Sequence, residues 1–259
     1  MTFEFDGEKY KRASGQQKTW GKGLISELEL AGHERILDLG SGDGALTAEL
    51  AELVPSGCVL GIDASKSMIA TARKDHSGAN LRFERLDMNE MDFEPGFDVV
   101  FSNATLHWIK DHKRLLRKVF ECLRDRGNVR FQFAGDGNCP NFIQIVREVM
   151  AENSYVDTFC DFEWPWYMPT CREYQTLMDE MPFREKKIWC TDGDKFFETS
   201  EAMTGWIDQP CLVPFLGCLA ERDKRAFRNA VVERMLARTQ QADGTCLELF
   251  RRINVRARK

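Results

Sequence analysis

Three glycines spaced two apart, Gly40, Gly42 and Gly44, separate the apolar run Ile36-Leu37-Asp38-Leu39 from Ala45 to Leu53, where Leu46, Leu50 and Leu53 recur at helical spacing. Such a turn takes a polar ligand. Glycine allows positive φ and close approach, and the first turn of a helix offers N–H groups without intrahelical partners. Nineteen residues after Gly44, a second apolar run, Val59-Leu60-Gly61-Ile62, ends in Asp63. An acid so placed accepts hydrogen bonds from the two hydroxyls of a ribose, whereas as a helix cap it would serve structure alone. Together the two features point to a nucleoside cofactor.

Glycine spacing separates the nucleoside cofactors. A dinucleotide fold wants G-x-G-x-x-G, its third glycine five after the first and a pyrophosphate at the helix N-terminus. Here Gly44 stands four after Gly40, and Asp38 and Asp43 flank the turn with charge that disfavours a pyrophosphate and suits a sulfonium and an ammonium group. In LDLGSGDG the sequence resembles the S-adenosylmethionine-dependent methyltransferases with a Rossmann-like fold, whose first motif is an acid-x-G-x-G-x-G turn. The resemblance implies that Asp38, Gly40, Ser41 and Gly42 hold S-adenosyl-L-methionine, that Asp63 and Ala64 take its ribose, and that Asp87 and Met88 take its adenine. The stretch SNATLHWI, residues 102 to 109, resembles the fourth motif of the small-molecule branch related to trans-aconitate methyltransferase, where a loop lines the space between sulfonium and acceptor. It implies Asn103 as a cofactor contact and His107 and Trp108 at the catalytic position; core packing is the other reading of the last two. Tyr10, Ser14, Gln17 and Trp20 resemble the opening segment of the same relatives, which makes Gln17, Trp20 and Trp108 acceptor contacts. The likeness continues from Pro214-Phe215-Leu216 to Phe250-Arg251-Arg252.

The elements that must carry these residues read as an α/β fold: a Rossmann-like, seven-stranded, mostly parallel sheet with helices on both faces and a helical cap over the active site. Strands are expected at 36–39, 58–62, 81–86, 97–101 and from Gly127, then at 184–191 and 246–258, with helices between them. One domain is expected over 1–259, with a core of about 32–135 plus strands near 184–192 and 245–258, and a cap from 1–30, 136–183 and 193–244. Phe159, Phe162, Trp164, Trp166 and Tyr167 fall so close together that they read as a lid or pocket wall. In the closing strand one face shows Leu247, Leu249, Arg251, Ile253, Val255 and Ala257, so Arg251 falls among apolar residues and needs an anion. That anion is either a substrate carboxylate, which makes Arg251 a substrate contact, or an internal acid.

Thirty-six Lys and Arg against 41 Asp and Glu give a formal charge of -5, which argues against nucleic acid as a partner. No apolar stretch approaches the ~18 residues of a membrane helix, and MTFEFDGEKYKR lacks a signal-peptide core, so a cytoplasmic protein is expected. Nine cysteines without a C-x-x-C pair read as reduced thiols, and four histidines without H-x-x-x-H give no metal site. The favoured activity is methyl transfer to a small-molecule acceptor, above all a carboxylate oxygen, because a carboxylate needs no general base. His107 keeps a hydroxyl, carbon or nitrogen acceptor open. A nicotinamide dehydrogenase and a non-catalytic adenosyl-binding module are the rivals from other classes.

Overall fold

The structure, a computed structural model, describes residues 4–7, 11 and 15–259. Its strands are β1 (Arg35–Leu39), β2 (Cys58–Asp63), β3 (Leu81–Arg85), β4 (Phe97–Asn103), β5 (Leu123–Ala134), β6 (Arg184–Asp192), β7 (Lys195–Phe197), β8 (Cys246–Glu248) and β9 (Arg251–Arg258). The helices are α1 (Gly15–Ser26), α2 (Ala45–Leu53), α3 (Lys66–Asp75), α4 (His112–Cys122), α5 (Pro140–Met150), α6 (Cys171–Asp179), α7 (Ser200–Trp206), α8 (Val213–Leu216) and α9 (Glu221–Thr239). The chain divides into two compact units. The first comprises residues up to Asp136 with Trp166–Thr191 and Arg252–Lys259, and the second Gly137–Pro165 with Asp192–Arg251. Residues 166–183, assigned to the cap from sequence, group with the sheet-bearing unit, as does the strand expected near 184–192.

The first unit is built on a seven-stranded sheet in the order β3-β2-β1-β4-β5-β9-β6. Strands β1 to β5 pair in parallel, and β9 runs antiparallel to β5, with Asn128 opposite Arg258 and Ala134 opposite Arg252. The central strands carry apolar residues on both faces because both are covered; all seven residues of β4 are buried, Asp98, Ser102 and Asn103 among them. On one face Leu24 and Ile25 of α1 and Leu50 and Ala51 of α2 pack on Ile36, Val59, Val99 and Phe101. On the other, Leu115, Leu116 and Val119 of α4 and Tyr174 and Met178 of α6 pack on Leu37, Val100, Phe131, Ile253 and Val255. Strand order reverses between β1 and β4, so their C-terminal ends open the crevice in which such sheets bind ligands.

The strands depart from the periodic reading in two places. β5 starts at Leu123 rather than Gly127, because a register shift lets Phe97 pair with Leu123 before Val99 pairs with Asn128. The closing strand is two strands: β8 pairs with β7 in a separate small sheet, and β9 belongs to the large one. Within the second unit, Phe162 and Trp164 pack against Phe215 at 5.1 and 5.5 Å between ring centroids, and Phe159 packs against Phe227 at 5.4 Å. In the first, Trp166 meets Trp108 at 5.6 Å and Tyr167 meets His112 at 4.7 Å. The aromatic run expected as a lid is thus divided at Pro165 and spent on two cores.

Candidate cofactor and acceptor site

The glycine turn is held from two sides. Gly40 and Ser41 donate to the carbonyl of Ile62 at 2.8 and 3.0 Å, tying the turn to the end of β2. Gly40 has φ 74° and lies so close to Thr105 that a Cβ would come within 2.1 Å of its methyl group, so no larger residue fits. Gly42, at φ 56°, is different: a Cβ there would meet nothing within 4 Å. Its missing side chain leaves open space over the backbone.

Asp63 ends β2 and faces this space. Its carboxylate accepts from Gly42 N at 3.0 Å and from Ser65 N at 2.9 Å. Burial pushes its pKa up, the two N–H groups pull it back, and the charges of Glu4 and Asp87 push it up further. Ala64 follows half-buried, its carbonyl accepting from Arg85 Nε at 3.2 Å. Asp38 lies under the turn, 2% exposed, and accepts from Thr47 Oγ1 at 2.7 Å. Burial raises its pKa to about 7; the Thr47 hydroxyl lowers it and the Asp63 charge raises it. Ser41 is buried, and among the described residues its Oγ has no hydrogen-bond partner. Asp43 pairs with Lys18 of α1 at 2.6 Å. Beyond β3, Asp87 accepts from the backbone and side chain of Asn89 at 2.9 and 2.8 Å, and Met88 is 7% exposed in the main apolar core.

The loop after β4 meets α1. Asn103 Nδ2 donates to Gln17 O at 2.8 Å, while Asn103 Oδ1 and Gln17 Oε1 are buried without a partner among the described residues. Leu106–Trp108 forms one 3-10 turn. His107 is half-buried, but its Nδ1 lies inside, again without a partner among the described residues. Burial holds its pKa well below the ordinary histidine value, and the positive charge of Arg252 and the neighbouring His112 act in the same direction. The Trp108 ring lies 5.4 Å from that of His107 and 5.5 Å from that of Phe5. Phe5 adjoins Glu4, whose carboxylate accepts from Ser65 Oγ and Ser67 N at 2.8 Å and Lys66 N at 3.2 Å, at the start of α3.

Of the residues singled out in the sequence, Gly42 is hydrogen-bonded to Asp63 and Gln17 to Asn103, and Thr105 Oγ1 bonds the carbonyls of both Gly40 and Asn103; Asp38, Ser41 and His107 lie in the same unit. Tyr10 and Ser14 lie outside the described residues. Arg251 belongs to the second unit, where it pairs with Asp192 and its backbone N–H donates to Asn138 Oδ1 at 3.2 Å. Its side chain is 41% exposed, so the expectation that it is buried among apolar residues is corrected. The buried arginine is its neighbour. Arg252 is 5% exposed, and its guanidinium stands 4.9 Å from the centre of the Trp20 ring. Sequence periodicity put Arg252 on the polar face of the last strand; the one available signal was that Arg252 and Asn254 repeat the polar alternation of Arg130 and Gln132.

Residues 36–127 match the family model described as a methyltransferase domain. Trans-aconitate 2-methyltransferase of Acidovorax ebreus (strain TPSY) is 26% identical over 258 residues, 99% of this chain and 98% of the relative. The protein of the same name from Deinococcus radiodurans is 42% identical over 100 residues, 39% of this chain and 38% of the relative. Among solved structures, Haemonchus contortus phosphoethanolamine N-methyltransferase 2, in complex with phosphomonomethylethanolamine and S-adenosylhomocysteine, aligns with a TM-score of 0.61. That alignment covers 98% of this chain and 57% of the other at 18% identity. The glycine turn, the strand order and these likenesses identify the chain as an S-adenosylmethionine-dependent methyltransferase of Rossmann-like fold.

Proposed function

We propose that the chain transfers the methyl group of S-adenosylmethionine to a carboxylate oxygen of a small organic acid. The observation that carries the site is the set of buried polar atoms without partners among the described residues, Ser41 Oγ, Gln17 Oε1 and Asn103 Oδ1, beside the open backbone of Gly42. Most buried polar atoms are paired, so a group of unpaired ones at the glycine turn and the loop beside it fits the hydrogen-bonding needs of a ligand. The set fits the cofactor. Asp63 has acceptor capacity left for two ribose hydroxyls after Gly42 and Ser65 are counted, and Asn103 Oδ1 offers an acceptor to an ammonium group. Asp38 shapes the turn from beneath through Thr47 rather than touching a ligand, and Met88 supports the adenine site from the core. Asp87 and Ala64 complete the nucleoside contacts.

When bound, the cofactor supplies a methyl group already activated on a sulfonium. The chain's own residues then align the acceptor and exclude water, and such positioning contributes up to ~7 to 11 kcal/mol. His107 and Trp108 line the transfer position, with Gln17 and Trp20 of α1 toward the acceptor. The carboxylate reading has two supports. The relatives of full-length similarity are named trans-aconitate 2-methyltransferases. In addition, the environment of His107 makes it a weak base, poorly suited to removing a hydroxyl proton, whereas an ionised carboxylate needs none removed. No helix among the described residues is long and apolar enough to cross a membrane, in keeping with a small polar or amphipathic acceptor in solution, and we place the protein in the cytoplasm.

The test uses cofactor labelled in its methyl group and a panel of small acids, including trans-aconitate and straight-chain fatty acids. A methyl ester releases labelled methanol in alkali, whereas ethers, amines and C-methyl products keep the label. Alkali-labile product is expected, and an alkali-stable product would overturn the carboxylate assignment.

A further inference from the structure

The leading half of the β9 face that reads as solvent-facing, Arg252 and Asn254, is buried, while Arg256 further along is exposed. Asn103 of β4, Gln132 of β5 and Asn254 of β9 stand side by side across the sheet, since Asn103 is the register partner of Gln132 and Gln132 of Asn254. Residues in register share a face. On that face lies α1: its Gln17 carbonyl takes the Asn103 amide, and Glu27 just beyond its end takes Arg130 and Arg256 at 3.1 and 2.8 Å. Asn254 Oδ1 accepts from Arg130 Nη2 at 3.1 Å and from Gln132 Nε2 at 3.0 Å, and its amide donates to Thr191 Oγ1 at 3.0 Å. One step further toward the C-terminal edge of the parallel strands, opposite Ala134, the same face carries Arg252. This is the edge at which open α/β sheets bind their ligands.

We propose that Arg252 is the specificity-determining residue of the acceptor site: its guanidinium, stacked on Trp20, receives the acceptor's carboxylate, with the Gln17 amide as the second polar contact. The inference rests on the carboxylate reading above and names the residue that reads it.

Three features of the molecule support this role. The first is orientation. A guanidinium over an indole, 4.9 Å from the ring centre, has its plane held and presents the N–H edge that matches a carboxylate in two parallel hydrogen bonds. The second is place. Gln17 and Trp20 are three apart on α1 and so share a helical face, Asn103 ties Gln17 to the end of β4, and the positive field of Arg252 reaches His107 in the loop that follows. Arg252 therefore stands on the acceptor side of the loop rather than under the nucleoside. The third is an unused polar group on the helix that carries Trp20: the side-chain amide of Gln17 has a buried atom without a partner among the described residues. With its amide turned over, Gln17 presents its N–H group at the same point.

The test compares wild type, Arg252→Met and Arg252→Lys, each saturated with S-adenosylhomocysteine, in calorimetric titrations with trans-aconitate and with octanoate. Octan-1-ol serves as the uncharged control. Wild type should bind at least one of the acids and prefer octanoate to octan-1-ol if octanoate is bound. Arg252→Met should weaken acid binding about 30-fold or more and abolish any preference over the alcohol, while Arg252→Lys should weaken it less. Affinity for S-adenosylhomocysteine should change less than threefold, and in turnover KM for the acid should rise far more than kcat falls. A folded Arg252→Met that binds and methylates acids as wild type does would overturn the role of Arg252 and leave the carboxylate reading standing. A loss of S-adenosylhomocysteine affinity in the same variant would overturn it too, by placing Arg252 at the cofactor. A wild type that methylates alcohols or amines but no acid would overturn both. Should Arg252→Met fail to fold, Trp20→Leu, which removes the surface under the guanidinium, carries the same comparison beside Arg252→Lys.

Discussion

Replacing Asp63 by alanine tests the nucleoside assignment where the structure allows its size to be worked out. In the free protein Asp63 already accepts two backbone N–H groups, from Gly42 at 3.0 Å and Ser65 at 2.9 Å. Removing the carboxylate strands both donors, which costs about 1 to 3 kcal/mol for a buried one and less at Gly42, which water reaches. Against this, the raised pKa says that burial penalises the charge itself, and its removal returns part of that cost. Net stability should therefore move by only about 1 kcal/mol. Cofactor affinity has no such offset. Two ribose hydroxyls lose a charged acceptor, each contact being worth about 1.5 to 3 kcal/mol, and after water replaces part of them about 3 kcal/mol should remain. That is roughly 150-fold in Kd. Calorimetric titration with S-adenosylhomocysteine, beside a thermal melt of the same preparation, reads both quantities. A folded Asp63→Ala whose Kd lies within threefold of wild type would refute the ribose assignment, and a variant that does not fold would show that the carboxylate serves the turn before it serves a ligand. Asp63→Asn, which keeps one acceptor, should fall between.

Further outcomes follow from buried charge. Asp38, raised to about 7, and His112, lowered to about 4, oppose each other in pH-dependent stability. The native protein holds the Asp38 proton that the unfolded chain releases, so this contribution is full below the unfolded value and is lost as pH rises toward 7. It refuses the His112 proton that the unfolded chain takes up below about 6.5, so that contribution is lost as pH falls. Urea titrations at pH 5 and 7.5 should show Asp38→Asn losing about 2 kcal/mol on acidification relative to wild type and His112→Asn gaining about as much; parallel profiles for all three would contradict the burial of these groups. Glu27→Ala should cost about 2 kcal/mol, because Arg130, 2% exposed, is left with a buried charge while the 40% exposure of Glu27 softens the loss; an unchanged urea midpoint would count against the pair. Glu4→Ala removes the acceptor of two N–H groups at the start of α3 and should cost about 1 kcal/mol. Although burial acts to raise it, the hydrogen bonds from Ser67, Ser65 and Lys66 leave the Glu4 pKa lowered, so this contribution is present above about 4.5 and lost as pH falls further. A Glu4→Ala variant as stable as wild type at pH 7 would show that this capping contact contributes nothing.

The turn and strand ends proposed to hold the nucleoside were legible as elements because their geometry is local. A turn between a strand and a helix favours glycine where φ is positive, and Gly40, Gly42 and Gly44 all have positive φ. The strands around it are parallel and covered on both faces, which writes them as short apolar runs, and Ile36, Leu37 and Leu39 are wholly buried. Helix caps were equally local: Thr170 at α6 closes a capping box with Glu173. The proposed acceptor half was less legible, since the residues proposed for it come from α1, from the loop after β4 and from β9, and no spacing links them. The split of the closing strand at Leu249–Phe250 leaves no mark in composition, because β8 and β9 satisfy the same alternation while pairing in different sheets.

The choice between Arg251 and Arg252 shows why. A strand's two faces are read from the sequence as an apolar inner one and a polar outer one, and on that rule Ile253, Val255 and Ala257 draw Arg251 inward with them. They are indeed buried, at 0, 0 and 5% exposed, but β9 lies inside a sheet with cover on both sides, and Arg252 and Asn254 are buried too, at 5 and 2%. What covers their face is α1, and it does so with polar and aromatic groups: Trp20 on Arg252, the Gln17 carbonyl on Asn103, Glu27 on Arg130 and Arg256. A helix with so mixed a face packs weakly through apolar area alone and depends on these pairings, together with Lys18 on Asp43, to stay in place. The groups that hold α1 down are therefore next to those proposed to meet the cofactor and the acceptor. Binding of either ligand should tighten the seat of α1, which makes slower amide exchange in residues 15–26 on adding S-adenosylhomocysteine the natural measure of that coupling, and unchanged exchange the result that would deny it.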